Sequence, residues 1–436
     1  MDALTFHSTR DADCHVPFEH AVMRALAPDG GLYMPDRITP LPVAFWQTWR
    51  DGDFATLATE LSCHMLGPVI PRDELAALCA EAFSFDVPVV EPAPNMRVLE
   101  LFHGPTLAFK DFGARWMSRV MARIARARGT QLTILAATSG DTGGAVASAF
   151  HNVPGTRVIL LYPAGRVSPL QEKQLTTLGG NVTAVEVAGS FDNCQHMVKC
   201  AFRDENLTEA RQLTSANSIN IARLLPQMFY YFHAARLLPS GARPVFVVPS
   251  GNFGNLTAGM FAAALGLPVT RFIAATNSND TVPAFLGGAP YVPKSSVATL
   301  SNAMDVGAPS NFERMLALAG GDEHVLRGRL GGHVTDDATT IAVMQRVWQR
   351  HGYLLDPHTA VAWNAATAWL DEHPGHHPIV LATAHPAKFL EVAAAACGAG
   401  AVTVPERLAC LANLPKVAIP MPADARAFMD WLRQDG

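Results

Sequence analysis

The chain is 436 residues long, with 49% hydrophobic and 16% charged residues. This composition is typical of a globular protein and excludes a disordered chain, while the length predicts two or three domains. The formal net charge of −5 gives no electrostatic reason to expect nucleic acid or an anionic membrane as a partner. An anionic ligand would therefore have to be held by local groups.

Cysteine usage and hydropathy predict a cytoplasmic protein. The seven cysteines include no Cys-x-x-Cys pair, and their odd number argues against a disulfide framework. The first residues lack a basic region followed by an apolar one, so we expect no signal peptide. The longest apolar-rich stretch, 256–269, is shorter than the about 20 residues that a membrane-spanning helix needs.

Residues 1–96 show helical patterns interrupted by proline and glycine, which predicts a mainly helical N-terminal domain. A helix is expected to begin within Val16–His20, because proline stands near its first turn and Gly30-Gly31 lies beyond its far end. The proline-rich stretch Val87–Pro94 is typical of a linker. We therefore place a domain boundary there.

From about residue 98 onward, short β-branched runs alternate with helical patterns. The predicted strands are Thr133–Ala137, Arg157–Tyr162, Val182–Val187, Pro244–Pro249, Thr270–Ala275 and Pro378–Ala382. The predicted helices are Phe112–Arg128, Gly143–His151, one opened by a capping box at Ser168, one near Asp192, Ile219–Leu238, Leu256–Leu265 and one near Phe389. This alternation favours an α/β fold with parallel strands joined by right-handed crossovers.

Lys110 lies in the run Leu101–Gly113, which we interpret as an extended loop that leads into a helix. Its neighbours Phe109 and Phe112 are apolar, and an ammonium group desolvated by such neighbours has a lowered pKa. A lysine in that state can act as an amine nucleophile and form a Schiff base. The alternative is a lysine that extends its ammonium group to solvent, and this stretch alone favours that alternative.

Two glycine-rich turns directly follow predicted strands: Thr138–Gly144 and Pro249–Asn255. At the carboxyl end of a parallel strand, such a turn directs backbone N–H groups and a helix N-terminus toward an anion. Glycine is also needed in tight strand-to-helix turns that bind nothing, because it adopts backbone conformations that other residues avoid. Each turn taken alone is therefore weak evidence for an anion-binding site.

A third polar cluster spans Ser215–Arg223. If a helix begins near Ser218, then Asn217 and Ser218 lie at its positive end, and Arg223 follows one to two turns later. This arrangement suits a phosphate or a carboxylate. An ordinary capped helix with a surface arginine explains the cluster as well, and the segment Thr383–Phe389 after the last strand is a similar case.

Other kinds of site have less support in the sequence. No Gly-x-Gly-x-x-Gly occurs and no lysine directly follows a glycine, so the dinucleotide and Walker A motifs are absent. His373 and His377 have the spacing of metal ligands on one helix face, but Pro374 and Gly375 interrupt that helix, so we expect loop histidines and no metal site. No Gly-x-Ser-x-Gly elbow is present, which leaves Ser/His/Asp hydrolysis without support.

Together these features resemble the threonine synthase family, a member of the fold-type II pyridoxal-phosphate enzymes related to the tryptophan synthase β subunit. The likeness covers nearly the whole chain. The motifs that carry it are Ser8-Thr9-Arg10, Pro28–Tyr33, Phe102–Asp111, Ala137–Gly143, Ser168–Lys173, Ser215–Asn220, Pro249–Asn255, Asn302–Asp305, Asp356–Ala360 and Thr383–Phe389. One departure is Asp11, where the family often has glycine, at a position that we expect to be away from the chemistry.

The resemblance implies that Lys110 is the catalytic residue and holds pyridoxal 5′-phosphate as a Schiff base. It assigns the cofactor phosphate to the turn Gly251, Asn252, Phe253, Gly254 and Asn255. It places Thr383 at the pyridine nitrogen and Asp141 near the ring hydroxyl. Substrate binding is expected from Thr138, Ser139 and Thr142 for the amino acid, and from Asn217, Ser218 and Arg223 for a phosphate group.

The resemblance also implies an architecture and a reaction. The expected parts are the N-terminal domain 1–96, a large cofactor-binding domain of 97–111 and 224–436, and a small α/β domain of 112–223. The implied reaction converts O-phospho-L-homoserine and water to L-threonine and phosphate by γ-elimination and β-addition. Two alternatives stay open: a phospho-lyase that releases 2-oxobutyrate, and a non-catalytic protein that binds a small molecule on the same fold.

Overall fold

The structure, a computed structural model, describes residues 4–434. Its N-terminal part contains strands β1 (Thr5–Ser8), β2 (Val16–Pro17) and β3 (Tyr33–Pro35) and helices α1 (Phe18–Arg24), α2 (Val43–Thr48), α3 (Phe54–Leu66) and α4 (Arg72–Ala82). Helix α1 begins within the predicted segment, directly after Pro17. The antiparallel sheet β2-β1-β3 was not predicted, because strands of two to four residues show too little alternation to be recognised.

Strands β4 (Val89–Ala93) and β5 (Met96–Glu100) pair antiparallel. The prediction of a linker at Val87–Pro94 is therefore wrong, because most of this stretch forms the edge strand of a sheet. Proline has no N–H to donate to a neighbouring strand, and Pro92 lies where the β4–β5 pairing shifts register at the sheet edge.

The middle of the chain alternates helices and strands as predicted. These elements are α5 (Lys110–Arg128), β6 (Leu132–Ala137), α6 (Asp141–Phe150), β7 (Thr156–Pro163), α7 (Pro169–Thr176), β8 (Val182–Ala188), α8 (Phe191–Arg203), α9 (Glu205–Arg211), β9 (Leu213–Thr214), α10 (Ile221–Leu224) and α11 (Met228–Arg236). The single helix predicted over Ile219–Leu238 is divided by a 3₁₀ turn at Leu225–Gln227. Pro226 causes this division, because a proline inside a helix removes one backbone hydrogen bond.

The remainder contains β10 (Val245–Pro249), α12 (Gly254–Ala264), β11 (Arg271–Thr276), α13 (Thr281–Leu286), α14 (Phe312–Leu318), α15 (Glu323–Arg329), β12 (Leu330–Val334), α16 (Asp337–His351), α17 (Pro357–Glu372), β13 (Pro378–Ala382), α18 (Leu390–Cys397), α19 (Glu406–Ala409), β14 (Ile419–Pro422) and α20 (Ala425–Gln434). Short 3₁₀ turns lie at Asn302–Met304, Pro386–Phe389 and Cys410–Asn413. The predicted strand Pro378–Ala382 has the bounds that the structure shows.

Two further sheets organise the molecule. The central sheet has the order β12-β11-β10-β13-β5-β4 and is parallel except for β4, and the second sheet has the order β14-β8-β7-β6-β9 and is parallel throughout. The α/β fold with parallel strands is therefore confirmed. Strand β14 pairs with β8, which differs from the sequence-based division that assigned all of 224–436 to the large domain.

Helix α5 shows how the core is built. Its apolar face is buried and includes Phe112, Trp116, Met117, Val120, Met121 and Ile124. Arginines elsewhere on α5 form ion pairs with α4, from Arg119 to Glu81 at 3.0 Å and from Arg123 to Glu74 at 2.7 Å. Within residues 4–434, none of the helices is both long enough and apolar enough to cross a bilayer.

Candidate active site

The loop before Lys110 is held against the end of strand β13. Leu101 N donates to Ala382 O at 2.9 Å, and Phe109 N donates to Thr383 O at 2.8 Å. Helix α5 then begins at Lys110 itself. Since ligands bind at the carboxyl ends of strands in parallel sheets, these contacts place Lys110 at the edge where a ligand is expected.

The amine of Lys110 is surrounded by charge. Its pKa is lowered to about 8, mainly by burial and also by the cations of Lys388 and Arg223, whereas the attraction of Asp141 opposes this lowering. A lysine with this pKa has a much larger neutral fraction near pH 7 than one in water, and the neutral amine is the nucleophile.

Asp111 fixes the shape of the same loop. Its two carboxylate oxygens accept hydrogen bonds from Thr106, one from the backbone N at 2.8 Å and one from Oγ1 at 2.7 Å. A Cβ atom at Gly104 would lie 2.5 Å from Asp111 Oδ2, so only glycine fits at that position.

The turn after β10 is tightly braced. A Cβ atom on Gly251 would lie 2.7 Å from the Cα of Met304, so the backbone here approaches a neighbouring segment closely. Phe253 has φ +60° and leads directly into α12 at Gly254. The first N–H groups of a helix have no partners within it, so the start of α12 can donate to an anion.

Asparagine side chains complete this turn. Asn252 Nδ2 donates to Ser218 Oγ at 2.6 Å, and Asn252 Oδ1 accepts from Ser310 N at 2.6 Å. Asn255 Nδ2 donates to Pro249 O at 2.8 Å. The side chains of both asparagines therefore hold the turn together, which leaves its backbone as the part that can bind a phosphate.

A histidine missed by the sequence analysis supports the opposite side of the turn. Ala303 N donates to His358 Nε2 at 3.2 Å, so Nδ1 carries the proton and donates to Asp356 Oδ1 at 2.9 Å. Because Ala303 and Met304 touch Gly251, this pair helps to fix the turn. The sequence placed these residues in motifs of the resemblance but gave them no role.

The turn after β6 is organised by Thr138. Its Oγ1 accepts from Gly140 N at 3.0 Å and from Gly143 N at 2.8 Å. The hydroxyl is therefore already engaged inside the turn. The predicted substrate residues Ser139 and Thr142 lie in the same turn, with Ser139 exposed and Thr142 partly buried.

Asp141, the first residue of α6, forms a buried ion pair with Lys388 at 2.7 Å. It also accepts a hydrogen bond from Gln171 Nε2 at 2.8 Å. Burial alone would raise the pKa of Asp141, but Lys388 and Lys110 hold that pKa well below its ordinary range. The sequence did not identify Lys388, although lysine is rare in this chain and a lysine beside a predicted ligand-binding segment was a usable signal.

Two buried polar atoms of the Ser215–Arg223 cluster lack partners. Arg223 is 3% exposed and its pKa is lowered to about 10 by burial. One of its terminal nitrogens donates to Ala216 O, but Nε has no hydrogen-bond partner among the described residues, and neither does Asn217 Oδ1. Buried polar groups without partners are rare, so this pair indicates a place for a polar ligand.

Arg314 holds the same cluster in place and was also missed. It is fully buried, which lowers its pKa to about 9. Its guanidinium group donates to three backbone oxygens, those of Tyr33 at 3.2 Å, Ser218 at 3.2 Å and Ile219 at 2.7 Å. Arg314 thus joins the N-terminal part of the chain to the polar cluster.

The residues present fit pyridoxal phosphate. Lys110 supplies an amine of lowered pKa, and the turn Gly251–Asn255 supplies a helix N-terminus for a phosphate. Thr383, 6% exposed, places a hydroxyl group at the end of β13. Asp141 lies close enough to Lys110 to influence its pKa. The structure therefore brings Lys110, Thr383 and the glycine turn to one edge of the central sheet, and Asp141, which follows β6 of the second sheet, lies near Lys110.

This fold and this site define a pyridoxal-phosphate-dependent enzyme of fold type II. Residues 98–382 match the family described as "Pyridoxal-phosphate dependent enzyme", 5–83 match "Threonine synthase N terminus" and 359–431 match "Threonine synthase, C-terminal". The chain belongs to the threonine synthase family, and its cofactor is pyridoxal 5′-phosphate.

Individual relatives cover the chain almost completely. The threonine synthase of Escherichia coli strain K12 is 45% identical over 427 residues, 98% of each chain, and that of Serratia marcescens is 44% identical over 423 residues, 96% of this chain and 97% of the relative. The crystal structure of the Escherichia coli threonine synthase covers 99% of this chain and 100% of its own with a TM-score of 0.91. A structure of threonine synthase from Brucella melitensis with bound pyridoxal phosphate covers 99% of both chains, with 35% identity and a TM-score of 0.92.

Proposed function

We propose that the substrate is O-phospho-L-homoserine and that the products are L-threonine and phosphate. The observation that carries this proposal is the buried Arg223 Nε without a partner, in a side chain that donates through another nitrogen to the backbone oxygen of Ala216, the residue before Asn217. Ser218 in turn contacts the Gly251–Asn255 turn through Asn252. A site with two neighbouring places for anions suits a cofactor phosphate together with a substrate phosphate.

Lys110 is the residue to which the cofactor binds covalently. The backbone of Gly251, Asn252, Phe253, Gly254 and Asn255 holds the cofactor phosphate. Thr383 would contact the pyridine nitrogen of the bound cofactor, and Asp141 would contact its ring hydroxyl. When bound, pyridoxal phosphate supplies an electron sink for negative charge on the substrate carbons.

The chain's own groups carry out proton transfer and substrate binding. With a pKa of about 8, the Lys110 amine can take and return protons at the substrate α and β carbons near neutral pH. Thr138, Ser139 and Thr142 form the turn that binds the amino-acid part, largely through its backbone, because the Thr138 hydroxyl is engaged within the turn.

Asn217, Ser218 and Arg223 bind the substrate phosphate and stabilise it as it leaves the γ carbon with the electrons of the C–O bond. Water then supplies the hydroxyl group at the β carbon. Fixed donors that act on developing charge in a closed site contribute roughly several kcal/mol to such a step.

Phosphate release coupled to threonine detection tests this proposal. Purified protein with bound cofactor is given O-phospho-L-homoserine, and we expect equal amounts of phosphate and threonine. Release of 2-oxobutyrate without threonine would support a phospho-lyase instead. Protein that binds the cofactor but releases no phosphate would favour a non-catalytic binding role.

We also propose a cytoplasmic location, supported by the cysteine usage of the sequence.

A further inference from the structure

Lys388 is a second lysine at the active site, is buried, and has no task in the proposed function. It is 3% exposed and lies in the 3₁₀ turn that follows strand β13 of the central sheet. Its Nζ is 2.7 Å from Asp141 Oδ1 and donates to Thr106 O at 2.8 Å. Asp141 and Thr106 belong to different segments of the site, so one ammonium group holds both.

The ion pair joins the two sheets over Lys110. Asp141 follows β6 of the second sheet, whereas Lys388 follows β13 of the central sheet. Residues of α7 reinforce this connection. Gln171 Nε2 donates to Asp141 Oδ1 at 2.8 Å, and Gln174 Nε2 donates to Thr106 O at 3.2 Å.

Charges of both signs lie near the Lys110 amine. The amine is attracted by Asp141 and repelled by Lys388 and Arg223. Asp111, the next residue, is satisfied by two hydrogen bonds from Thr106. Asp141 is therefore the carboxylate that could serve Lys110 as a counter-ion, and it is already paired with Lys388.

We propose that Lys388 is a positioning residue for Lys110: its ion pair with Asp141 closes the two sheets over the nucleophile and neutralises the carboxylate that would otherwise stabilise the lysine as a cation. This inference rests on the proposed role of Lys110. A buried ion pair contributes little net stability on average, because the desolvation of both charges offsets their attraction. The main effect of the ion pair between Lys388 and Asp141 is therefore on the charge that surrounds Lys110.

The proposal predicts shifts of opposite sign when the two partners of one ion pair are changed. In Lys388→Met, the repelling cation is lost and Asp141 is unpaired, so the pKa of the Lys110 amine rises by about one unit or more. In Asp141→Asn, the attracting carboxylate is lost while the Lys388 cation stays, so the pKa of Lys110 falls. Lys388→Arg keeps the charge and should leave the pKa of Lys110 within a few tenths of a unit of its original value.

Competitive labelling measures this pKa directly. The full-length protein, freed of cofactor, is exposed to trace acetic anhydride between pH 6 and 11, and mass spectrometry gives the extent of acetylation of Lys110 at each pH. Thermal unfolding identifies variants that do not fold, and Lys388→Gln replaces Lys388→Met if the latter does not. Lys294→Met is the control, because Lys294 forms an exposed ion pair with Asp280 at 2.6 Å.

An upward shift in Lys388→Met together with a downward shift in Asp141→Asn supports the proposal. If folded Lys388→Met and Lys388→Gln keep the original labelling profile, or if Asp141→Asn shifts it upward, the proposal is wrong and the ion pair is only structural. Labelling reports the amine whether or not the protein releases phosphate from O-phosphohomoserine. A failure of this inference is therefore distinguishable from a failure of the proposed function.

Discussion

The Lys110 amine combines burial with two nearby cations, and its pKa falls to about 8 as a result. The sequence suggested only part of this environment. Phe109 and Phe112 predicted desolvation, but Lys388 and Arg223 are far from Lys110 along the chain, and no local pattern reveals which distant charges meet in the fold. For the same reason, the buried roles of Arg314 and His358 could not be predicted, even though their positions in the sequence are plain.

Replacing Lys110 by alanine should remove the visible absorbance of the lysine-bound cofactor. The amine that forms the covalent bond is then absent, while the glycine turn remains and can still bind the cofactor phosphate without a covalent link. The visible absorbance spectrum is recorded after incubation with pyridoxal phosphate and gel filtration. The control Lys294→Ala should keep the band, and a Lys110→Ala protein with an unchanged band would contradict the assignment.

Replacing Arg223 by lysine should both weaken substrate binding and slow turnover. Lysine keeps the positive charge but cannot provide the fixed donor geometry of a guanidinium group, including the Nε that lacks a partner here. Loss of one hydrogen bond to a charged group costs about 1.5–3 kcal/mol, which raises KM by about tenfold or more.

Steady-state kinetics with O-phosphohomoserine, together with inhibition by inorganic phosphate, measure the effect of Arg223→Lys. Both KM and the inhibition constant should rise. Arg426→Lys, at an exposed position, is the matched control. An unchanged inhibition constant in Arg223→Lys would show that Arg223 does not contact the phosphate.

Among the elements, regular strands and helices were predicted well and irregular ones were not. The alternation of apolar runs identified β6, β7, β8, β10, β11 and β13, because strands buried on both faces carry continuous apolar sequences. Strand β12, with Gly331-Gly332 at its centre, gives no such signal. Two predictions that involve proline were wrong. The proline-rich stretch was interpreted as a linker although β4 forms an edge strand there, and a single helix was predicted across Pro226 although the helix is interrupted at that residue.

Gly251, in the turn between β10 and α12, allows a test of whether this turn holds the cofactor. A Cβ atom at residue 251 would lie 2.7 Å from Met304 Cα and 3.0 Å from Ala303 O, which are backbone atoms that cannot move freely. Gly251→Ala should therefore displace the turn at a cost of about 1–3 kcal/mol and weaken cofactor binding accordingly. Equilibrium titration with pyridoxal phosphate, followed by absorbance, measures the change.

The control for Gly251→Ala is another glycine-to-alanine change. Gly328 lies in helix α15, is exposed, and has no atom within 4 Å of an added Cβ. Gly328→Ala should leave cofactor affinity unchanged and raise helix stability by up to about 1 kcal/mol. Equal cofactor affinity in both variants would mean that the turn does not hold the cofactor phosphate.

At the scale of the whole molecule, the active site lies where all parts of the chain meet. Arg314 links the site to Tyr33 of the N-terminal part, and the Asp141–Lys388 pair links the second sheet to the central one. Sequence periodicity predicted three strands in each of these two sheets, but it could not predict how the sheets face one another. That arrangement depends on contacts between residues that are distant in sequence, such as the ion pair between Asp141 and Lys388.

The lowered pKa of Lys110 also reduces the free energy of unfolding of the cofactor-free protein, and this effect should depend on pH. In the folded chain the pKa of Lys110 is about 8, against 10.5 for a lysine in water. Between these values the unfolded chain binds more protons than the folded one, so stability rises with pH across this window. The penalty from Lys110 is therefore fully present below about pH 8 and disappears as the pH approaches about 10.5.

Lys110→Met should consequently make the cofactor-free protein more stable at pH 7, and this advantage should shrink as the pH rises from 8 to 10.5. Urea unfolding of both proteins at a series of pH values measures the difference in free energy of unfolding, in which titrations common to the two chains cancel. Lys294→Met, which changes an exposed lysine, should show no such dependence. A difference between Lys110→Met and the unmodified protein that stays constant from pH 6 to 10.5 would mean that the pKa of the Lys110 amine is the same in the folded and unfolded chains. The Lys110 amine would then impose no pH-dependent cost on stability, and it would lack the lowered pKa that suits it for catalysis.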